Sequence, residues 1–533
     1  MPVLGTKVHV PRPRPRLVAR PRLTERLDTA VGSGVRLVLV SAPAGFGKTT
    51  LLTQWLSGSA GAPGEPALRV AWLSLDPGDG DPRRFLTHLV AAVRSSVPAP
   101  GPEAGVEALG LLDADPGLRA DDALVSLVND LDALAGRTVV CLDDYHVVDA
   151  AHVHEALAFL VDNLPPQVTL AVTTRADPPL PLPRLRARGE LVEVRAADLR
   201  FTEDEAGHFL NDVMGLALAE PQVSALETRT EGWAAGLQLA ALSAGTGGAT
   251  DRFVEEFAGS HRFVLDYLLE EVLDAQPEDV RSFLLDTCVL DELTGGLCDA
   301  LTGRTDGQRT LEALERANLF VIPLDDDRRW WRYHHLFADA LRARLGAAEP
   351  ARAARLHRGA ARWYAGEGRL VDAVPHALAG GDVEEASDLV ELTLPGLRKR
   401  REDRLMRAWL KAVPEDVARR RPLLATALAW VRLSEGDLLG VDDWLDAAEA
   451  GLAADDRPMR AVHEWPEVLA EAARDRADEL AGLPAMVGVY RASVAQARGD
   501  VAGTVAHARR ALDLAGPGDH FPRGAAGGFL GLA

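Results

Sequence analysis

An apolar, β-branched run, Val35-Arg36-Leu37-Val38-Leu39-Val40, is followed directly by Ser41-Ala42-Pro43-Ala44-Gly45-Phe46-Gly47-Lys48-Thr49-Thr50 and then by Leu51-Leu52-Thr53-Gln54-Trp55-Leu56, which reads as a helix. Strand, glycine-bearing loop and helix in that order are the context a phosphate-binding loop requires. In such a loop successive backbone N–H groups point at the phosphates, and the following helix adds its positive end. A lysine reaches the β and γ phosphates and a hydroxyl holds Mg²⁺, roles that Lys48 and Thr49 fit. Ala42, Pro43, Ala44, Gly45, Phe46 and Gly47 form the candidate cradle, with Thr50 beside Thr49 at the helix start. Ala42 stands where the pattern usually has its first glycine, a place that a small residue with negative φ can fill. A plain glycine-containing β–α turn is the alternative, and the flanks together with the intact Gly47-Lys48-Thr49 argue against it.

A second strong signal is Arg137-Thr138-Val139-Val140-Cys141-Leu142-Asp143-Asp144, whose apolar run suits a buried parallel strand with two acids at its carboxyl end. Asp143 is placed to orient Mg²⁺ or its bound water, and Asp144 to act on an attacking water as base or positioner. Acids at a strand end also serve as turn formers; the phosphate loop upstream favours the catalytic reading. Leu68 to Leu75, Val168 to Arg175 and Leu191 to Val194 are further strands, and helices alternate with them, including one from Pro82 to Arg94 and one from Ala120 to Leu134. That alternation implies a parallel sheet covered on both faces. Arg175, at the same sheet edge as Asp143, is a candidate γ-phosphate contact, with a loop-capping surface arginine as the alternative. Upstream, Arg20-Pro21-Arg22-Leu23 opens a short helix from Thr24 to Val31, and segments placed there in many nucleotide-binding folds lie against the adenine, which makes Arg20 a candidate cofactor contact. The preceding Pro11-Arg12-Pro13-Arg14-Pro15-Arg16 favours an extended path, read as a solvated lead-in with an arm that contacts acid or phosphate as the alternative.

At 533 residues the chain is too long for one core. Its formal charge of −21 argues against a nucleic-acid-binding surface over most of its length. Cys141, Cys288 and Cys298 show neither metal-ligand nor disulfide-framework spacing, no apolar stretch approaches a membrane span and no signal-peptide core opens the chain, so a cytoplasmic location is expected. From Thr202 the pattern turns helical, with Thr202-Glu203-Asp204-Glu205 forming a capping box. A region from about Arg252 to Leu345 adds helices and a strand pair, Phe320 to Leu324 and Trp330 to Tyr333, turning at Asp325-Asp326-Asp327; helices followed by a hairpin suggest a winged helix with an intramolecular role. Beyond Pro350 the chain is alanine-rich and helical. Gly368 and Gly436 lie 68 residues apart, two periods of 34, and Gly499 follows after another 63, with alanines at matching offsets in Ala361 and Ala373, Ala429 and Ala448, Ala492 and Ala511. A superhelix of helical repeats with a concave binding surface is expected, with an irregular helical bundle as the alternative. The basic cluster Arg398-Lys399-Arg400-Arg401 reads as a solvated helix end, with a nucleic-acid patch as the alternative. The apolar ending Gly527 to Ala533 lacks the polar cap of a finished array, so the repeats are expected to be incomplete there or that edge to be covered by something else.

With these residues the chain resembles the large ATP-binding transcriptional activators of the MalT-like, LuxR-type group, within the STAND class of P-loop ATPases. The resemblance rests on Ser41 to Thr50, Leu142-Asp143-Asp144-Tyr145-His146, Thr174-Arg175-Ala176-Asp177-Pro178-Pro179-Leu180, Thr230-Glu231-Gly232-Trp233-Ala234-Ala235-Gly236-Leu237-Gln238-Leu239-Ala240 and Trp331-Arg332-Tyr333-His334-His335-Leu336-Phe337. It implies a multidomain chain: an α/β P-loop nucleotide-binding domain with an N-terminal arm over 1–197, a helical lid over 198–250, a winged helix over 251–346 and a tetratricopeptide-like sensor over 350–533. It further implies ATP or ADP with Mg²⁺, a small-molecule or protein inducer on the repeats, ATP-dependent homo-oligomerisation, slow regulatory hydrolysis, and promoter binding through a C-terminal helix-turn-helix that does not occur within these residues. His334 becomes a candidate contact to the β-phosphate of bound ADP. Proline usually occupies the lid position where Ala234 stands. A metabolic P-loop enzyme, such as a kinase or transferase, and a repeat scaffold with a vestigial nucleotide site are the other function classes; the intact Lys48, Thr49, Asp143 and Asp144 disfavour the scaffold, and the long repeat region disfavours the metabolic enzyme.

Overall fold

The computed structural model describes residues 3–12, 16–58, 68–97, 104–114, 120–247, 262–454 and 467–533. Pro13 to Pro15 of the proline-arginine arm, positions 98–103 of the linker after the second strand and the Arg252 start of the winged-helix region lie outside the described residues. The chain divides into two compact units, one built from 1–284, 291–295 and 308–343, the other from 285–290, 296–307 and 344–533.

The first unit is organised on a five-stranded sheet of β1 (Leu37–Ser41), β2 (Arg69–Ser74), β3 (Thr138–Asp143), β4 (Val168–Thr174) and β5 (Leu191–Arg195), in the order β2-β3-β4-β1-β5. Every pairing is parallel, with Leu39 opposite Val172, Cys141 opposite Ala171 and Ser41 opposite both Thr174 and Arg195. All residues of β1, β3 and β4 are buried, as strands covered on both faces must be. The polar ends of these strands, Ser41, Asp143 and Thr174, therefore gather at one carboxyl edge. Helices α1 (Pro21–Gly32), α2 (Lys48–Gly58), α3 (Pro82–Ser95), α4 (Ala120–Ala133) and α5 (Ala151–Asn163) alternate with the strands. Proline opens α3 at its first position and the Asp81 side chain accepts from the Arg84 N–H, so the start is set locally. Phe85, Leu86, Leu89, Val90 and Val93 then turn one face to the core shared with β2 and β3. α1 begins at Pro21, three residues before the sequence places it, because proline suits a first helical turn.

After β5 the Thr202–Glu205 capping box forms as read, with the Thr202 hydroxyl accepting from the Glu205 N–H. Helices α6 (Glu220–Thr230) and α7 (Ala234–Gly247) follow. The hairpin of β6 (Val321–Pro323) and β7 (Trp331–Tyr333) is antiparallel, Trp331 also bridges Leu293, and α8 (His335–Ala348) leaves directly from β7.

The second unit is helical. Its paired helices are α9 (Pro350–Gly366) with α10 (Leu370–Ala379), α12 (Pro422–Ser434) with α13 (Val441–Ala453) and α14 (Ala470–Ala497) with α15 (Val501–Leu514); α11 (Val383–Arg400) separates the first two pairs and α16 (His520–Leu532) ends the described chain. The turns of the three pairs each contain a left-handed glycine, Gly368 at φ 73°, Gly436 at φ 76° and Gly499 at φ 74°. The six matching alanines are all 0% exposed, so they sit where the paired helices meet and allow them to approach closely. The basic cluster does lie at a helix end, but Arg398 turns inward to pair with Glu479, and only Lys399, Arg400 and Arg401 are exposed.

Candidate functional site

The loop between β1 and α2 carries Gly45 at φ 76° and Gly47 at φ 78°, left-handed conformations open to glycine and strained for other residues. α2 begins at Lys48, so the N–H groups of its first turn have no acceptor inside the helix and face the loop's concavity. Lys48 is buried, and its ammonium donates to the carbonyls of Ala42 and Pro43, each at 2.9 Å. Burial pulls its pKa down to about 8 against the opposing pull of Asp144. A cation desolvated among its own loop carbonyls is poised for an anion that supplies better partners. Ala42, Pro43, Ala44 and Phe46 are buried beneath the loop and Thr50 faces solvent.

Across the edge, the Thr49 hydroxyl donates to Asp143 at 2.8 Å, and Thr173 donates to the same carboxylate oxygen at 2.7 Å. Burial raises the Asp143 pKa despite these two hydrogen bonds. A buried carboxylate beside a threonine hydroxyl is an all-oxygen, hard-donor pair of the kind Mg²⁺ takes with phosphate and water. Asp144 follows in left-handed conformation, φ 60°, which is uncommon for a residue other than glycine and turns its carboxylate out of the sheet into a half-exposed position. His146 comes within 3.8 Å of that carboxylate; its Nδ1 is buried without a hydrogen-bond partner, and burial with the charge of Arg175 pushes its pKa down to about 4. Arg175, at the end of β4, is partly exposed and leans on Glu271 at 3.7 Å.

The same loop is covered by the lid and the hairpin. The buried Trp233 indole donates to the Ala44 carbonyl at 3.0 Å, and the Ala235 N–H donates to the Gly45 carbonyl at 3.0 Å. Alanine at 234 therefore leaves the lid packed on the loop. Phe320, at the strained φ of 56°, stands 5.5 Å from Trp233, 5.5 Å from His334 and 6.1 Å from Phe46, measured between ring centres. His334 is buried, with Nε2 3.0 Å from the Thr230 carbonyl and Nδ1 lacking a partner; burial drives its pKa to about 4, so the ring is neutral at neutral pH. Asn318 donates to the Ser41 hydroxyl at 3.0 Å, and Ser41 donates to Asp177 at 3.0 Å, joining the hairpin's approach to the sheet edge. Arg20 points to the lid linker: it donates to the Arg200 carbonyl at 2.8 Å, pairs with Glu205 at 3.2 Å and lies 4.8 Å over the Phe201 ring. Sequence reasoning passes over Trp233, Phe320 and Asn318 as site residues; an aromatic next to the Gly232 turn is the one available signal, and nothing in the sequence marks the other two.

A five-stranded parallel sheet whose phosphate loop is touched by Trp233 of the lid and by Phe320 beside the hairpin is the core of a P-loop ATPase domain. Residues 16–172 match the family model for an AAA ATPase domain, and residues 269–353 match that for the MalT winged helix domain. The chain therefore carries an AAA ATPase domain and a MalT winged helix domain. It is 38% identical over 483 residues to the serine/threonine-protein kinase PknK of Mycobacterium tuberculosis, covering 87% of this chain and 42% of that one. It is 34% identical over 434 residues to the HTH-type transcriptional regulator MalT of Cronobacter sakazakii, covering 81% of this chain and 47% of the relative. The chain thus spans less than half the length of the curated relatives it matches. Cdc6p of Pyrobaculum aerophilum aligns over 63% of this chain and 97% of its own at 17% identity, with a TM-score of 0.31 that supports no further comparison. Among the described residues no helix is long and apolar enough to cross a membrane.

Proposed function

We propose that this chain is the nucleotide-operated switch of a transcription regulator, binding ATP or ADP with Mg²⁺ and changing its association state with the nucleotide. The observation that carries this reading is the convergence of Lys48, Thr49 and Asp143 under a loop that the lid and the hairpin both touch. In this reading Lys48 and the backbone of Ala42 to Thr49 bind the phosphates, with Thr50 closing the first turn, and Thr49 with Asp143 would hold Mg²⁺. Bound Mg²⁺ supplies charge neutralisation at the β and γ phosphates. Asp144 orients the attacking water, Arg175 exchanges Glu271 for the γ-phosphate, His334 offers its orphaned Nδ1 to the β-phosphate of ADP, and Arg20 holds the segment on the adenine side. Domains are assigned as 1–197, 198–250, 251–346 and 350–533. A γ-phosphate moves the equilibrium only if it interacts differently with two arrangements of lid and hairpin, and those elements already rest on the loop.

The helical unit is assigned to inducer sensing. It contains a cleft of about 470 Å³ lined by Arg369, Leu370, Leu392, Arg400, Leu469 and Glu471, a volume within the range of small-molecule sites. Relatives named as a kinase and as a transcription regulator share the matched stretch, which favours a control module over the catalytic domain of a metabolic enzyme. The test is fluorescent-nucleotide binding and light scattering on the whole chain. Tight ADP retention, turnover well below that of metabolic kinases, and growth in mass with a non-hydrolysable ATP analogue are expected. Unchanged nucleotide binding in Lys48→Ala would sink the site assignment.

A further inference from the structure

The run from Thr230 to Ala235 touches the phosphate loop, the lid linker and the end of the hairpin. Thr230 offers its carbonyl to His334, Gly232 its carbonyl to the Phe201 N–H at 2.8 Å, and Trp233 and Ala235 hold the loop itself. Glu231 sits in the middle of this run in left-handed conformation, φ 49°, followed by Gly232 at φ 66°. Gly232 has no room for a side chain, since a Cβ there would come 2.5 Å from the Phe201 carbonyl oxygen. The two left-handed residues end α6 and swing the Glu231 side chain toward the hairpin.

There its buried carboxylate receives both arms of the Arg332 guanidinium, at 2.7 and 2.8 Å, a third donation from Arg200 at 2.9 Å, and the His335 N–H at 3.2 Å. Burial works to raise its pKa, but the Arg332 hydrogen bonds and the charges of Arg332 and Arg200 prevail and hold it at about 2. One carboxylate thereby ties β7, the first residue of α8 and the lid linker to the end of the lid helix. A bidentate arginine–carboxylate pair of this kind has two discrete states, made and broken, because a half-made buried pair leaves a charge without its partner.

We propose that Glu231 is an electrostatic latch whose pairing with Arg332 keeps the hairpin and the lid closed over the phosphate loop. Opening the module requires this pair to separate, and the adjacent Trp233–Ala44 and Thr230–His334 contacts pass that separation on to the nucleotide. The latch stands on geometry within the described residues; its coupling to nucleotide rests on the function proposed above.

The experiment compares wild type, Glu231→Gln, Arg332→Lys and the reciprocal Glu231→Arg/Arg332→Glu double variant in the full chain, by amide hydrogen exchange without nucleotide and by release of fluorescent ADP. In Glu231→Gln, exchange over β6, β7 and the start of α8 should rise by about tenfold or more, while β1, β3 and β4 keep their protection. Arg332→Lys should fall between the two, and the double variant should recover part of the protection. Unchanged hairpin exchange in Glu231→Gln would overturn the latch. Loss of protection throughout the sheet would overturn it as well, because the carboxylate would then hold the fold and not a separable contact. Faster hairpin exchange with unaltered ADP release would leave the latch standing and refute its coupling to nucleotide.

Discussion

The hydroxyl of Thr49 donates to the carboxylate of Asp143 at 2.8 Å, joining the phosphate loop to the third strand of the sheet. Thr173 donates to the same oxygen at 2.7 Å, so the carboxylate is held from two elements. Asp143→Asn keeps the shape and removes the charge. It is expected to weaken Mg²⁺-dependent ATP binding by about ten- to a hundredfold, while metal-free ADP binding changes little. Because burial raises the Asp143 pKa, protons compete with the metal at a pH above the ordinary carboxylate range. ATP affinity in Mg²⁺ should therefore decline on acidification in wild type and lose that dependence in Asp143→Asn, as isothermal titration across pH would record.

Lys48 yields a prediction of opposite sign for binding and for stability. Its pKa is pulled from 10.5 to about 8 by burial, so the folded protein binds its proton less tightly than the unfolded chain does. The unfolded state then carries more protons between those two values, and stability without nucleotide rises with pH across that window. Below pH 8 the charged lysine imposes its full penalty, on the order of 3 kcal/mol at about 1.4 kcal/mol per pKa unit. Lys48→Met should abolish nucleotide binding and yet raise the melting temperature of the nucleotide-free protein at pH 7. A lower melting temperature would show that the contacts to Ala42 and Pro43 outweigh the desolvation.

How much of this arrangement could be read in advance depends on how local its causes are. The loop at Gly45 and Gly47 and the acids at Asp143 and Asp144 were legible because each needs only its own strand, turn and helix. Equally legible were Gly368, Gly436 and Gly499, whose left-handed turns and paired buried alanines follow from a helix-hairpin period. Arg20 was legible as a position but not in its contacts, since the carbonyl it donates to belongs to Arg200, 180 residues on. Glu231 and Arg332 each lie in a stretch that the sequence singles out, but their pairing spans 101 residues and depends on how the hairpin docks. The inward pairing of Arg398 is not legible for the same reason, because its partner Glu479 comes from a different helix.

The two glycines of the loop should respond differently to alanine. At Gly45 a Cβ would lie 2.6 Å from the Ala235 Cβ, 2.8 Å from the Trp233 indole nitrogen and 3.1 Å from the Tyr267 hydroxyl. At Gly47 the nearest atom is the Thr50 Cβ at 4.0 Å. Both substitutions bear the left-handed backbone cost, about 1–2 kcal/mol. Gly45→Ala adds the displacement of the lid, a further cost of about 1–3 kcal/mol. Denaturant titration of the nucleotide-free variants should rank Gly45→Ala as clearly less stable than Gly47→Ala, with Trp233 fluorescence altered in the former alone.

Gly488 lies inside the long helix α14, where alanine would ordinarily stabilise by about 1 kcal/mol through its helix propensity. Here a Cβ would meet Ala511 of α15, at 3.0 Å from its Cβ, 3.1 Å from its Cα and 3.2 Å from its backbone nitrogen. Two of those three atoms are backbone, so the neighbouring helix must move as a body to make room. The gain in propensity is thus opposed by an overpacking cost of about 1–3 kcal/mol, and Gly488→Ala should destabilise the helical unit. Ala511→Leu, at a fully buried position facing the same contact, should destabilise it further. Gly499→Ala provides the contrast, because that left-handed glycine has nothing within 4 Å and the substitution carries only the backbone cost. Circular dichroism at the helical band during urea unfolding reads all three, and a stabilised Gly488→Ala would mean that the two helices separate more easily than their close packing implies.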